Sequence, residues 1–285
     1  MLDSRIMAAL KPYSPPSGKI PTKRRSFEEV VRDLRHAVYS IVRHRDIGNG
    51  RVEAGPLGSG FFVSPEVFLT CNHVIASPQA PHKDGDSYHL VCNLTGTSGA
   101  IHAIGNAVVG QNVHLFPDCD LALLISKARK DQPYVSIDFG DVPIGREIGV
   151  AGYPLSKLQV VNGNLSYEGL IFRVAKGVVT STYNTNINPG IGPGIQAVSV
   201  IEVNFLFVPG NSGGPVFDAE TGRVAAFVHG YTTEKIRERI EEATLIQDLP
   251  AGVSRQYIEN LNALYSIAIK LERVRPQLEA FGVRL

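Results

Sequence analysis

The stretch FVPGNSGGPVFD, Phe207 to Asp218, places Ser212 among Gly210, Gly213 and Gly214 and then runs straight into an apolar, strand-like segment. A tight turn needs fewer glycines than this. A serine acting as a nucleophile does need them: backbone N–H groups must point at a developing oxyanion, and the chain must pass close to substrate. A serine hydroxyl is a weak nucleophile at neutral pH, so this reading also requires a base within hydrogen-bond reach and an acceptor that orients that base. The stretch therefore poses a test for the remaining residues.

The chain has 285 residues, 44% hydrophobic and 19% charged, with a formal net charge of +1. That composition is globular, and the balanced charge gives no reason to expect nucleic acid or an acidic membrane as partner. No run approaches the roughly 18–20 uninterrupted apolar residues of a membrane helix, and the first twenty residues lack a secretory apolar core. The three cysteines, Cys71, Cys92 and Cys119, are too few for a disulfide framework and fit a reducing, cytoplasmic setting. With His82, His89, His102 and His114 they lack metal-ligand spacing, so no metal and no cofactor is expected.

Residues 1–25, rich in Pro, Ser and basic side chains, read as a flexible tail. Ser26 and Glu29 form a capping box ahead of a short helix over about 27–36, which feeds a strand in AVYSIVRHR. From there to residue 231, short β-branched and aromatic runs alternate with turn signals, the pattern of an all-β sandwich or barrel. Gly190–Gly194 (GIGPG) reads as a loop at a cleft edge or hairpin, since no helix follows it to make a phosphate cradle. Beyond Thr232 the spacing of Ile258, Leu261, Tyr265, Ala268 and Leu271 predicts an amphipathic helix, docked on the barrel or presented to a partner.

Among eight histidines, His73 stands out because it follows the hairpin-like GSGFFVSPEVFLTCN and precedes the apolar VIA. Asp120 lies directly before the apolar LALLI, with Asp118 a close competitor by position alone. In GNSGG the N–H groups of Gly210 and Ser212 are the candidate oxyanion donors.

GSGFFVS…FLTCNHVI, DCDLALL and PGNSGGPVFD, in this order, resemble the trypsin-like, chymotrypsin-fold serine peptidases, in particular the disulfide-free bacterial type similar to HtrA-like protease domains. The resemblance covers about residues 37–231. It implies an all-β fold of two six-stranded antiparallel barrels, about 37–130 and 140–231, here with a short N-terminal helix and C-terminal helices. The peptidase domain would span 26–231, followed by a helical extension over 232–285. It also implies a serine endopeptidase in which Ser212 is the nucleophile, His73 the general base and Asp120 the orienting carboxylate. Gly210 and Ser212 would supply the oxyanion hole, and a protein or peptide would be the substrate.

The chain departs from the family pattern in three places. Asn211 stands where secreted zymogens carry an aspartate, so activation by an inserted N-terminal amine is not expected. Too little chain follows the barrels for the peptide-binding module of HtrA proteases. Leu206, Phe207 and Val208, at the positions that line the primary pocket in the family, include no acid, so cleavage after Lys or Arg is disfavoured. His229 lies near the position of a pocket histidine in glutamate- and glutamine-preferring members. Two alternatives to a constitutive peptidase stand beside this reading: an effector switched on by a partner at the C-terminal helices, and a protease-fold binding protein with little turnover.

Overall fold

The strands form two antiparallel β systems. The computed structural model describes residues 17–77, 79–93, 102–103, 108–127, 131–161, 164–168, 170–186, 197–235 and 262–283. The whole GIGPG loop and the 236–261 part of the C-terminal segment fall outside these.

The first system opens with helix α1, Phe27–Leu34. Ser26 Oγ accepts from the Glu29 amide, and the Glu29 carboxylate accepts from the Ser26 amide, so the expected capping box is present. The helix buries Val30 and Leu34. Strands β1 Val38–Asp46, β2 Val52–Phe62, β3 Val67–Cys71, β4 Ser87–Cys92, β5 His102–Ala103, β6 Val108–Val109, β7 Val113–Phe116 and β8 Leu121–Ile125 follow. The sheet runs β5-β4-β1-β2-β3-β8-β7, with β6 added beside β4, and forms a nearly closed barrel. The β1–β2 hairpin turns through Gly48, Asn49 and Gly50, all at positive φ, where glycine and asparagine carry the least steric penalty. All five residues of β3 are buried, as are the first four of β8. That accounts for their continuous apolar sequences, which lack the alternation of a half-exposed strand.

The second system is a closed six-stranded barrel made from β9 Glu147–Gly152, β12 Arg173–Asn186, β13 Ala197–Val203, β14 Pro215–Asp218, β15 Val224–Lys235 and β16 Asn262–Lys270, in the order β12-β13-β16-β15-β14-β9. The hairpin of β10, Lys157–Val161, and β11, Asn164–Glu168, lies off this ring. Val150, Ile201, Val216, Ala226, Val228 and Ala268 belong to its apolar filling.

Three expectations are corrected. Part of the supposed N-terminal tail is bound: Ile20 is buried, its amide donates to the Tyr134 carbonyl, and Ser136 Oγ donates to the Ile20 carbonyl. The amphipathic C-terminal helix is, over 262–270, the strand β16, which pairs with β13 on one side and β15 on the other. Its apolar residues recur at helical spacing, yet Ser266 to Lys270 are buried without a break. A short run buried on both faces carries no periodicity that separates helix from strand. The second barrel therefore extends past residue 231. Helical structure after it comprises a 3-10 turn at Leu271–Val274 and helix α3, Arg275–Ala280. Leu271, Val274 and Leu278 sink into the main core, and Phe281 packs its ring on Phe116 and His114 of β7. This terminal segment docks on the chain's own first barrel. Among the described residues, no helix is long and apolar enough to cross a membrane.

Candidate active site

The charged half of the site comes from the first barrel. Strand β3 ends at Cys71 and gives way to a single helical turn, α2, Asn72–Ile75, which carries His73. A 3-10 turn at Pro117–Cys119 delivers Asp120 in the left-handed region (φ 50°, ψ 37°) before β8. Because Cys71 and Leu121 are partners in the β3–β8 ladder, the residues just beyond them must meet. The Asn72 amide donates to the Asp120 carbonyl at 2.9 Å. The His73 amide donates to Asp120 Oδ1 at 2.9 Å, and His73 Nδ1 lies 2.8 Å from Asp120 Oδ2. Asp118 is not part of this arrangement; it lies within the 3-10 turn.

The second barrel supplies the GNSGG loop that carries Ser212, the candidate nucleophile. Gly210 and Gly213 sit at φ +94° and +82°. The loop is held by its own amides: Asn211 N donates to Val208 O, Gly214 N to Asn211 O and Gly213 N to Val228 O. The N–H groups of Gly210 and Ser212 have no acceptor among the described residues. From the first barrel, the Ser59 amide donates to the Ser212 carbonyl at 3.0 Å and Ser59 Oγ donates to the Gly210 carbonyl at 2.7 Å. Ser59 Oγ in turn accepts from the Tyr153 amide at 2.8 Å. By fixing that carbonyl, Ser59 limits how the loop around Gly210 can turn. In the sequence Ser59 is only the middle of the GSG triplet, Gly58–Gly60, a pattern that does not reveal its partner. A Cβ on Gly58 would press on Val74 and the Ser212 carbonyl, and one on Gly60 on Phe68 and the Leu69 carbonyl.

The residues expected to line a specificity pocket separate in space. Leu206 is 53% exposed, whereas Phe207 is buried in the second barrel's apolar cluster with its amide on Ser266 Oγ at 2.7 Å. Val208 is half-buried, and its carbonyl is used by Asn211. The imidazole of His229 goes to the buried carboxylate: Nδ1 lies 2.6 Å from Asp120 Oδ2, the oxygen that His73 also contacts. The His229 carbonyl accepts from Ser212 Oγ at 3.2 Å.

Asp120 is 2% exposed. Burial acts on it most strongly and would raise its pKa, but the charge of His73 and the hydrogen bonds from His229 and His73 hold it well below the usual carboxylate range. For His73 burial again acts most strongly, favouring the neutral ring, but the charge and hydrogen bond of Asp120 prevail and raise its pKa. Burial, followed by the nearby Asp120 charge, pushes the Cys71 thiol well above its ordinary value; Sγ lies 3.0 Å from the Val228 carbonyl, placed to donate to it. The candidate ligand atoms of Cys71, His73 and Asp120 lie within 4.8 Å of one another. A thiol held protonated and a carboxylate already engaged by two imidazoles form a poor donor set for a cation.

A pair of antiparallel barrels, with an Asp–His pair on one and a serine in a positive-φ glycine loop on the other, defines the chymotrypsin-like class of hydrolases. The family model described as trypsin-like peptidase domain matches residues 58–226. The chain belongs to this family and is a serine endopeptidase. Among solved structures it is similar to the active form of the Rv3671c protease from M. tuberculosis, with 18% identity, coverage of 97% of this chain and 96% of that one, and a TM-score of 0.55. It is also similar to the HtrA-type protease AlgW with a decapeptide, with 17% identity, coverage of 90% and 67%, and a TM-score of 0.54. At these identities the likeness is one of fold. No curated protein matches the sequence significantly.

Proposed function

We propose that the chain hydrolyses peptide bonds by acyl transfer through Ser212, His73 and Asp120. The observation that carries this reading is the double engagement of Asp120 with the amide and the ring of His73. It orients the imidazole with Nδ1 toward the carboxylate and leaves Nε2 for the serine proton. In the arrangement described, Ser212 Oγ donates to the His229 carbonyl, so attack begins when the hydroxyl turns to His73. As Oγ adds to the scissile carbonyl, His73 takes its proton and Asp120 stabilises the imidazolium. The unspent N–H groups of Gly210 and Ser212 would receive the oxyanion, each such donor contributing about 3 kcal/mol to the transition state. His73 then returns the proton to the leaving amine, and water resolves the acyl-enzyme by the same steps in reverse.

The absence of an acid among Leu206, Phe207 and Val208 supports a P1 preference other than Lys or Arg. The three cysteines, free and buried, fit the cytoplasmic setting proposed with this activity. A fluorophosphonate probe should label the wild type at Ser212 and leave Ser212→Ala unlabelled. Profiling of newly formed protein termini with the two proteins should give cleavages specific to the wild type, without Lys or Arg before the cut. Equal labelling of both proteins would overturn the assignment.

A further inference from the structure

We propose that His229 is a positioning residue for the Asp120–His73 pair, clamping the carboxylate from the second barrel while its own carbonyl receives the Ser212 hydroxyl. The proposal rests on the triad reading above and adds a group to it.

The placement comes from an irregularity in β15. Along this strand Ala226 and Val228 point into the second barrel, whereas Phe227 belongs to the main core. The ladder to β16 then shifts register between Val228 and Gly230, leaving His229 as the extra residue of a bulge. A bulge bends its strand and re-aims a side chain. Here it sends the ring across the seam to Asp120, and the rings of His229 and His73 meet edge to face with centroids 5.4 Å apart.

The chemistry of the contact is constrained. An ionised carboxylate only accepts hydrogen bonds, and Asp120 is held ionised. Both imidazoles must therefore carry a proton on Nδ1, which sets the tautomer of His229 as well as that of His73. Asp120 then accepts three N–H groups: the His73 amide at Oδ1 and two ring N–H groups at Oδ2. The His229 N–H draws carboxylate charge away from His73, so the base is weaker than it would be with Asp120 to itself. The titratable groups facing His229 from neighbouring elements are His73 on α2, Cys71 at the end of β3 and Asp120 ahead of β8; Ser212 faces its carbonyl. One residue thus ties the orienting carboxylate of the first barrel to the nucleophile of the second.

The test compares kcat and KM of the full chain across pH for the wild type, His229→Ala and His229→Asn, per active site titrated with fluorophosphonate, and for Ser212→Ala per mole of folded protein. His229→Ala should lower kcat about 10- to 100-fold, the scale of a misplaced catalytic group, with KM within about twofold and the acidic limb moved to higher pH. Asn, whose amide can replace the Nδ1 donor, should recover part of the rate. Independently of turnover, proton NMR of Ser212→Ala should show two low-field imidazole N–H resonances, and the Ser212→Ala/His229→Ala double variant only one. A His229→Ala enzyme with wild-type per-site kcat and pH profile would overturn the proposal, as would a single low-field resonance in Ser212→Ala. If His229→Ala does not fold, an unshifted acidic limb and unchanged kcat in a folded His229→Gln variant, whose amide cannot sit where Nδ1 sits, would do the same. Turnover by Ser212→Ala would instead refute the triad reading.

Discussion

The two barrels contribute to the site by opposite means. In the first, ordinary ladder register does the placing: β3 and β8 run side by side, Cys71 opposes Leu121, and His73 and Asp120 are the residues just beyond that pair. The groups delivered are ionisable. In the second, irregular backbone does the placing. Gly210 and Gly213 take positive φ, β15 bulges at His229, and the groups presented are two N–H donors, a hydroxyl and a carbonyl. Regular register can hold charge buried because every neighbouring polar group is already satisfied. Presenting bare N–H groups requires a break in the ladder, since a strand would have paired them. The first barrel therefore tolerates little change in charge, and the second little change in backbone shape.

Three substitutions probe this contrast. The largest effect is expected from the charge of the first barrel. Asp120→Asn should lower kcat by about 10⁴-fold, because an amide has one acceptor oxygen where the carboxylate uses two, so its NH2 must face either the His73 amide or the two Nδ1 atoms and the wrong imidazole tautomer is favoured. Steady-state kinetics on protein with an unchanged circular-dichroism spectrum checks it, and a loss below about tenfold would show that orientation of His73 does not depend on Asp120. Next is the shape of the second barrel. A Cβ on Gly213 would run into the Ser59 carbonyl and the Thr70 hydroxyl of the first barrel, at a φ of +82°. Gly213→Ala should destabilise the fold by roughly 3 kcal/mol, read as a lower denaturant midpoint, and the seam should open before either barrel melts.

The smallest effect tests buried charge in the first barrel away from the site. Arg45 holds Asp86 through two hydrogen bonds of 2.6 Å, and the Lys83 amide adds a third at 3.0 Å. Burial would raise the pKa of Asp86, but these partners lower it on balance. Unfolded chains therefore take up the proton first as pH falls. The stabilisation is complete above the unfolded value near pH 4 and drains away as pH drops through the lower folded value. In Asp86→Asn, urea midpoints measured from neutral to acid pH should follow a visibly flatter curve than the wild type.

The parts of this site that were legible in the sequence are those set by short-range geometry. GNSGG announced a backbone that only glycine adopts comfortably, and the positive φ of Gly210 and Gly213 bears that out. The polar ends of VFLTCNHVI and PDCDLALL marked strand termini, and the structure brings His73 and Asp120 together there. Other features had no local signature. Ser59 looks like any serine between glycines until its hydroxyl is found on the Gly210 carbonyl, 151 positions away. Strand β16 has the apolar spacing of a helix, and only its two neighbours in the barrel make it a strand. His229 reads as a candidate wall of a specificity pocket until one extra residue in β15 turns it toward Asp120.

By itself, the sequence determined the class of fold, the glycine-rich loop around Ser212 and the identity of the Ser, His and Asp candidates. Each of these depends on residue types and turns within a few positions of one another. Tertiary structure alone decided which strand closed the second barrel, what held the Gly210 peptide and where His229 pointed. Those outcomes depend on which distant strand edge satisfies a given backbone or carboxylate group, a matter of three-dimensional pairing.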